Sequence, residues 1–429
     1  MSAKAQAIKM VVALLMGGVS AVSAREPRVL DLQGVEFQNP TGKSASFAAG
    51  GTIDPNGTFF QVLGTNGRSC ATCHQPSDGW GLSAHTARVL FQETGGMHPL
   101  FEFDGQNGPG LNLSTLAARR KASSLMLDRA LVRLQVNANT QGIEFEFEIA
   151  RYDPETTYGN LVANHPPRLV VFRRPLPTSN LDTLSNNFWM GIGDSLPVDT
   201  VLRAGVPLQA ALHLQAVTPL THAQQSEIVA FMQSLSTAQT KDNLAKDLTA
   251  AKALGGPQFL SRLDPTGSPG FNIYQSWEKT PRGGNNAARQ AIARGEQLFN
   301  AACSGCHSSP NRGNLAESGE FFDLGISDAE NRTTGSPLYT LRCLVDTVGG
   351  RAGDTRQTTD PGRAMITGKW DDIGRFKVPN LRGLASRAPY FHNGMARTIE
   401  DVVDFYDPRL KLNLTRQEKA DLVGFLRAL

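Results

Sequence analysis

The sequence predicts a mainly α protein of two similar helical domains, with a small β-hairpin inserted in the first. Three observations carry that prediction. One pentapeptide, Cys-x-x-Cys-His, occurs twice, as Cys70-Ala-Thr-Cys73-His74 and as Cys303-Ser-Gly-Cys306-His307. One amphipathic segment also recurs, spanning 220–232 after the first pentapeptide and 414–426 after the second. A single run, Ile143-Glu144-Phe145-Glu146-Phe147-Glu148-Ile149, alternates apolar and polar residues with the period of a half-buried strand.

Each element follows in chain order. Lys4 and Lys9 precede an apolar run over 10–15, then Gly17, Gly18 and Ser20, and Val22-Ser23-Ala24 supplies small side chains before Arg25. This is the order of a secretory signal, so residues 1–24 are expected to be removed on export to the periplasm. Residues 25–43 form an N-terminal extension, and the first domain runs over 44–238. Within it, 116–136 is a helical candidate, and 168–172 is the expected partner of the alternating strand. The segment 220–232 opens on Thr221 as N-cap and closes this domain. Residues 239–284, with Gly255-Gly256-Pro257 and a second Pro/Gly-rich stretch at 265–270, read as an ordered linker. The second domain spans 285–429. It starts with a helix over 287–299 and ends with the repeat at 414–426, where Thr415 and Glu418 form a capping box.

Composition narrows the function classes. The 429 residues are 40% hydrophobic and 19% charged, which excludes collagen, coiled coil and wholesale disorder. A formal net charge of +3 gives no support to a nucleic-acid surface. After the leader no segment is long and apolar enough to span a bilayer.

Cys-x-x-Cys-His is the attachment pattern of c-type haem. Two thiols one helical turn apart add to the two vinyl groups, and the adjacent imidazole reaches the iron. A zinc site could draw four ligands from two Cys-x-x-Cys pairs, and a redox dithiol could use one pair. Neither explains the same trailing His in both copies. Two covalent haems are expected, held by Cys70, Cys73, Cys303 and Cys306, with His74 and His307 as axial ligands and the repeated helices closing two cytochrome c-like domains. Cys343 has no partner cysteine and reads as a small buried hydrophobe.

The function of a His-ligated haem depends on its other face. For the second haem the informative runs are Lys377-Val-Pro-Asn-Leu-Arg382 and Arg387-Ala-Pro-Tyr-Phe-His392-Asn-Gly394. These resemble the segment that lines the C-terminal haem in the bacterial di-haem cytochrome c peroxidase/MauG superfamily. The resemblance implies a distal ligand fourteen residues beyond His392, which is Tyr406 here, as in the MauG type, where typical peroxidases carry Met. Met395 is a competing thioether ligand. Phe188-Trp189-Met190-Gly191 resembles the superfamily's Phe-Trp-Asp-Gly-Arg, whose Trp relays electrons between haems. Trp189 matches, whereas Met190 and Ile192 replace the Asp and Arg.

The superfamily follows its Trp motif with a Gln-Ala pair and an acid–base group that helps cleave the peroxide bond. Gln209-Ala210 matches the pair, and His213 follows. The internal repeat points to the same place, since Tyr406 lies nine residues before Thr415, and nine before Thr221 is Leu212, next to His213. His213 is therefore expected at the first haem, as acid–base group or switchable ligand, with His85 and His98 as alternatives. Glu144, Glu146 and Glu148 read as the wet face of the strand. The resemblance also implies a calcium ion, for which Arg387, Pro389 and Asn112 are the candidate ligands. The expected function is an exported, hydrogen-peroxide-dependent di-haem oxidoreductase, with peroxide activated at the His74 haem. The oxidising equivalents would be shared with the His307 haem and delivered to a periplasmic electron donor or protein substrate. A di-haem electron carrier with both irons closed, or an oxygenase on an organic substrate, are the alternative readings.

Overall fold

The structure is a computed structural model that describes residues 31–137, 142–148, 168–181, 188–192, 196–264, 267–281, 283–315 and 320–429. The expected leader, 1–24, lies outside the described residues. The chain begins with strands β1 (Phe37–Asn39) and β2 (Gly42–Ala48), followed by helices α1 (Ala84–Thr94), α2 (Leu116–Ala122) and α3 (Ser124–Arg129). Strands β3 (Val132–Asn137), β4 (Phe145–Phe147) and β5 (Arg168–Arg173) come next, then α4 (Val198–His213), α5 (His222–Ser234), β6 (Leu235–Asp242) and β7 (Lys246–Asp247). The remainder holds α6 (Asn286–Ala302), β8 (Phe322–Asp323), β9 (Tyr339–Cys343), β10 (Thr355–Thr358), β11 (Arg375–Phe376), α7 (Ile399–Arg409) and α8 (Arg416–Arg427).

The expectation of a mainly α chain is corrected, because the fold mixes 36% helix with 16% strand. One source of the difference is an antiparallel sheet of order β1-β2-β6-β7. Its central strands read Gly-Lys-Ser-Ala-Ser-Phe-Ala and Leu-Ser-Thr-Ala-Gln-Thr-Lys-Asp. These sequences carry little apolar periodicity. They are held instead by the ladder and by buried hydroxyl contacts such as Ser46 Oγ to Thr237 Oγ1 at 2.7 Å.

The expected hairpin is also corrected. Arg168–Arg173 pairs antiparallel with β3, while Phe145–Phe147 pairs with β9 from the second half of the chain. The expected helix over 116–136 stops early. Ala130 takes a left-handed conformation at φ 52°, and the Val, Leu and Val of β3 then satisfy a strand. Phe145 and Phe147 point into a core with Tyr339, Leu341, Cys343 and Trp370, while Glu146 lies on the other face and pairs with Arg342. Cys343 is buried, its thiol donating to the Val345 carbonyl.

Helices frame the two Cys-x-x-Cys-His segments. Thr221 and Gln224 form a capping box on α5, and Thr415 and Glu418 form one on α8, so both repeats start at the same structural position. Helix α6, which leads into Cys303, crosses α8 closely. A Cβ on Gly295 would come within 2.0 Å of the Asp421 carbonyl oxygen, so only glycine permits this approach. Phe299, Phe271 and Phe425 then meet with ring centroids 5.2–5.4 Å apart. A second core gathers Phe59, Trp80, Ile228, Val229 and Met232 around the first motif. Among the described residues, no helix is long and apolar enough to cross a membrane.

Candidate functional site: two Cys-x-x-Cys-His centres

Both motifs close a helical turn in the same way. The N–H groups of Cys73 and His74 bond to the Cys70 carbonyl at 3.3 and 3.1 Å. Those of Cys306 and His307 bond to the Cys303 carbonyl at 3.2 and 2.9 Å. Each imidazole is anchored through Nδ1, His74 on the Trp80 carbonyl at 3.1 Å and His307 on the Gly313 carbonyl. A proton held at Nδ1 leaves the Nε2 lone pair of each ring for a metal. Burial lowers the His74 pKa to about 4, with the nearby His213 charge adding to the effect, and burial also lowers that of His307. Both rings are neutral at physiological pH, as a ligating imidazole must be.

All five cysteines are unpaired. Burial pushes the Cys70 thiol up to about 12 and those of Cys73 and Cys303 to about 11. A redox dithiol needs a lowered pKa, so that reading does not fit. Among the described residues no three His, Cys, Asp or Glu side chains converge on a metal site, so the two pairs do not share a zinc.

The surroundings of the second motif fit a haem. Arg382 is 1% exposed, and none of its three guanidinium nitrogens has a hydrogen-bond partner among the described residues. Burial lowers its pKa only to about 10, so it remains a cation. An unpartnered buried cation of this kind calls for an anion, and a haem propionate is one. Tyr406, on α7, lies near the second motif. Burial, with the Cys303 and Cys306 thiols adjacent, raises its pKa, and its ring packs against Phe391 and Phe405.

At the first motif, His213 closes α4 with its side chain 26% exposed. Its Nδ1 meets Asp104 Oδ2 at 2.5 Å, and the other oxygen of Asp104 pairs with Arg68. Asp104 and Arg68 act electrostatically on Cys73, and His213 does so on His74, which brings all three beside the first Cys-x-x-Cys-His. The Arg68 and His213 charges hold the Asp104 carboxyl below its usual pKa against the cost of burial. Gln209 lies half-buried one turn before His213 on α4. The alternatives are otherwise engaged. His85 is exposed, and buried His98 caps a short turn by accepting the Leu100 N–H at 3.2 Å. Sequence reasoning missed Arg68 and Asp104, which no motif or periodicity marks.

Trp189 bridges distant segments. Its indole N–H donates to the Arg174 carbonyl at 2.8 Å, its ring meets His392 edge-on at 6.1 Å, and its own carbonyl accepts the Lys377 N–H at 3.1 Å. His392 in turn stacks on Phe376 at 3.9 Å.

Two of the three expected calcium ligands, the Arg387 carbonyl and the Asn112 side chain, have other partners. One nitrogen of buried Arg174 donates to the Arg387 carbonyl at 2.5 Å and to the Leu82 carbonyl at 2.6 Å. Burial and the Arg387 guanidinium lower the pKa of Arg174 to about 9, which still leaves it charged. A divalent ion on the Arg387 carbonyl would meet that charge. Asn112 is exposed, and its Oδ1 accepts the Ser114 N–H at 2.9 Å in a local turn.

Comparison with known proteins finds relatives over part of the chain. The chain is 33% identical over 169 residues to cytochrome-c peroxidase IdrP1 of Pseudomonas sp. (strain SCT), covering 36% of this chain and 43% of the relative. It is 28% identical over 156 residues to cytochrome c551 peroxidase of Nitrosomonas europaea, covering 36% and 38% respectively. Over about a third of its length the chain is thus similar to proteins named as cytochrome c peroxidases. Its two intact Cys-x-x-Cys-His motifs are suited to hold two covalent c-type haems. The chain spans about two fifths of the length of the curated relatives it matches. No family model matches it. A solved MauG-like protein associated with microbial copper homeostasis overlaps it with a TM-score of 0.36 at 21% identity, covering 60% of this chain and 73% of that one. An overlap that loose carries no weight.

Proposed function

We propose that this chain is an exported di-haem peroxidase that reduces hydrogen peroxide at the His74 centre and shares the oxidising equivalents with the His307 centre. In this reading residues 1–24 direct export, 44–238 form the peroxide-reacting domain, 239–284 link the halves, and 285–429 form the electron-storing domain. The observation that supports it is the difference between the neighbours of the two Cys-x-x-Cys-His motifs. His213, an imidazole held by a buried carboxylate, stands at the first centre, whereas a phenol, Tyr406, stands at the second.

A haem supplies the iron that binds and reduces peroxide, and the net change is hydrogen peroxide plus two protons and two electrons giving two waters. The residues supply the rest. His74 and His307, anchored through Nδ1, would hold the two irons through neutral Nε2 atoms. His213, with Nδ1 tied to Asp104, has Nε2 as its basic atom and can take a proton from the near peroxide oxygen and return it to the far one. Gln209 is a neutral hydrogen-bonding neighbour one turn away. Trp189 joins the segment at Arg174 to the Lys377–His392 region, and its oxidisable ring suits it to pass charge between the two halves. Tyr406 as a ligand favours ferric iron and a MauG-like oxidant of a protein or other periplasmic donor.

Electron paramagnetic resonance of the ferric protein, before and after one equivalent of peroxide, tests this. One high-spin and one low-spin signal, both altered by peroxide, are expected. Two unchanging low-spin signals would show instead an electron carrier with both irons closed.

A further inference from the structure

We propose that Asp104, clamped by Arg68, is the positioning residue that fixes the orientation of His213 toward the first centre. This rests on the reading that His213 serves the His74 side. The carboxylate is nearly fully buried and is bonded through separate oxygens, Oδ1 to Arg68 and Oδ2 to His213 Nδ1.

Every nitrogen of Arg68 is engaged, and nearly all its bonds go to one turn. Its Nε donates to the Pro99 carbonyl at 2.8 Å. Its Nη2 donates to the Leu100 carbonyl at 3.2 Å and also to the Glu102 carbonyl. Its Nη1, besides Asp104, donates to the His213 carbonyl at 3.2 Å. Asn66, two residues before Arg68, also donates to the His213 carbonyl, at 2.9 Å. The guanidinium therefore holds both the loop that carries Asp104 and the helix end that carries His213. Gly105 is needed for that loop to close, because a Cβ there would lie 1.8 Å from the Leu100 carbonyl oxygen and 3.3 Å from Arg68 Nη2.

The chemical consequence is tautomer control. An ionised Asp104 accepts only, so the Nδ1 proton stays on the imidazole and the lone pair stays on Nε2. A side chain at the exposed end of a helix would otherwise sample rotamers and both tautomers. The Asp–His pair removes that freedom without itself touching peroxide, and a carboxylate behind a catalytic imidazole elsewhere acts in this way.

The test uses the holoprotein and stopped-flow peroxide consumption, with two-haem loading and circular dichroism as folding controls. His213→Gln and Asp104→Asn should each slow the peroxide step by about 10²-fold, with unchanged haem loading. The double variant should be no slower than His213→Gln alone, because Asp104 acts only through His213. Effects that multiply in the double variant would overturn the proposal, as would an Asp104→Asn rate equal to wild type beside a slow His213→Gln. A wild-type rate in His213→Gln would overturn both this proposal and the functional reading. Should Asp104→Asn fail to fold, Asp104→Glu keeps the charge on Arg68 while displacing the oxygen from Nδ1. A rate reduced at least several-fold supports the proposal, and an unchanged rate overturns it.

Discussion

A phenol at a haem-binding centre can be a ligand or a packing residue, and the surroundings of Tyr406 separate these roles. Its ring contacts are aromatic, but its oxygen lies close enough to the Cys303 and Cys306 thiols for their charges to raise its pKa further. Packing alone does not call for such a location, whereas a ligand to the iron of a porphyrin attached through those thiols would need it. Tyr406→Phe should therefore abolish or shift the low-spin ferric signal and leave the high-spin one in place, read by the same resonance experiment. An unaltered low-spin signal would leave Met395 as the alternative ligand. At this scale the haem-binding residues were legible because the attachment chemistry dictates their spacing. His213 was reached through the internal repeat. Its partners Arg68 and Asp104 were not legible, because an ion pair between residues far apart in sequence leaves no local pattern.

Among the elements, the α6–α8 crossing depends on a single absent side chain. The two helices meet where Gly295 faces Asp421, and the aromatic cluster of Phe271, Phe299 and Phe425 packs beside that contact. Gly295→Ala gains about 1 kcal/mol of helix propensity but drives a Cβ against a backbone carbonyl and, at 2.7 Å, against the Phe425 side chain. Backbone on the opposing helix cannot step aside cheaply, so a net loss of about 1–3 kcal/mol is expected. Gly424→Ala is the control. Its Cβ would meet only Ile292 Cγ1 at 3.8 Å, an ordinary contact, so propensity should dominate and stability should hold or rise slightly. Thermal unfolding of the two holoproteins checks this, and a Gly295→Ala midpoint at or above wild type would refute the close crossing. Both capped repeat helices were legible, since Thr415 with Glu418 announces a helix start. Strands β2 and β6 were not. Their Ser, Thr and Ala side chains form a sheet only through a register between positions nearly 200 residues apart, as Ser46 with Thr237 illustrates. Strand β4 was legible as a strand but not in its partner, because periodicity shows which face is apolar and is silent about which edge it joins.

On the scale of the whole molecule, buried arginines tie the chain halves together. Arg173 grips Asp360 through two bonds of 2.6 and 2.7 Å, and the next residue, Arg174, spans the Leu82 and Arg387 carbonyls and receives the Trp189 indole on its own carbonyl. The Arg174 N–H completes the junction by bonding to the His392 carbonyl at 2.8 Å. A fixed guanidinium thus does, at the Arg387 carbonyl, what the resemblance assigned to a calcium ion. The electrostatics disfavour having both, because a divalent ion sharing that oxygen would meet the buried guanidinium already bonded to it. The junction should accordingly be indifferent to calcium. Dialysis of the holoprotein against a calcium chelator should change neither the unfolding midpoint nor the ferric spectrum, and elemental analysis should find iron at two per chain with no stoichiometric calcium. Arg174→Gln, which removes the cation while keeping a donor, should lower the midpoint whether or not calcium is added. A wild-type midpoint that falls on chelation and recovers with calcium would show that the guanidinium is not the cation holding this junction.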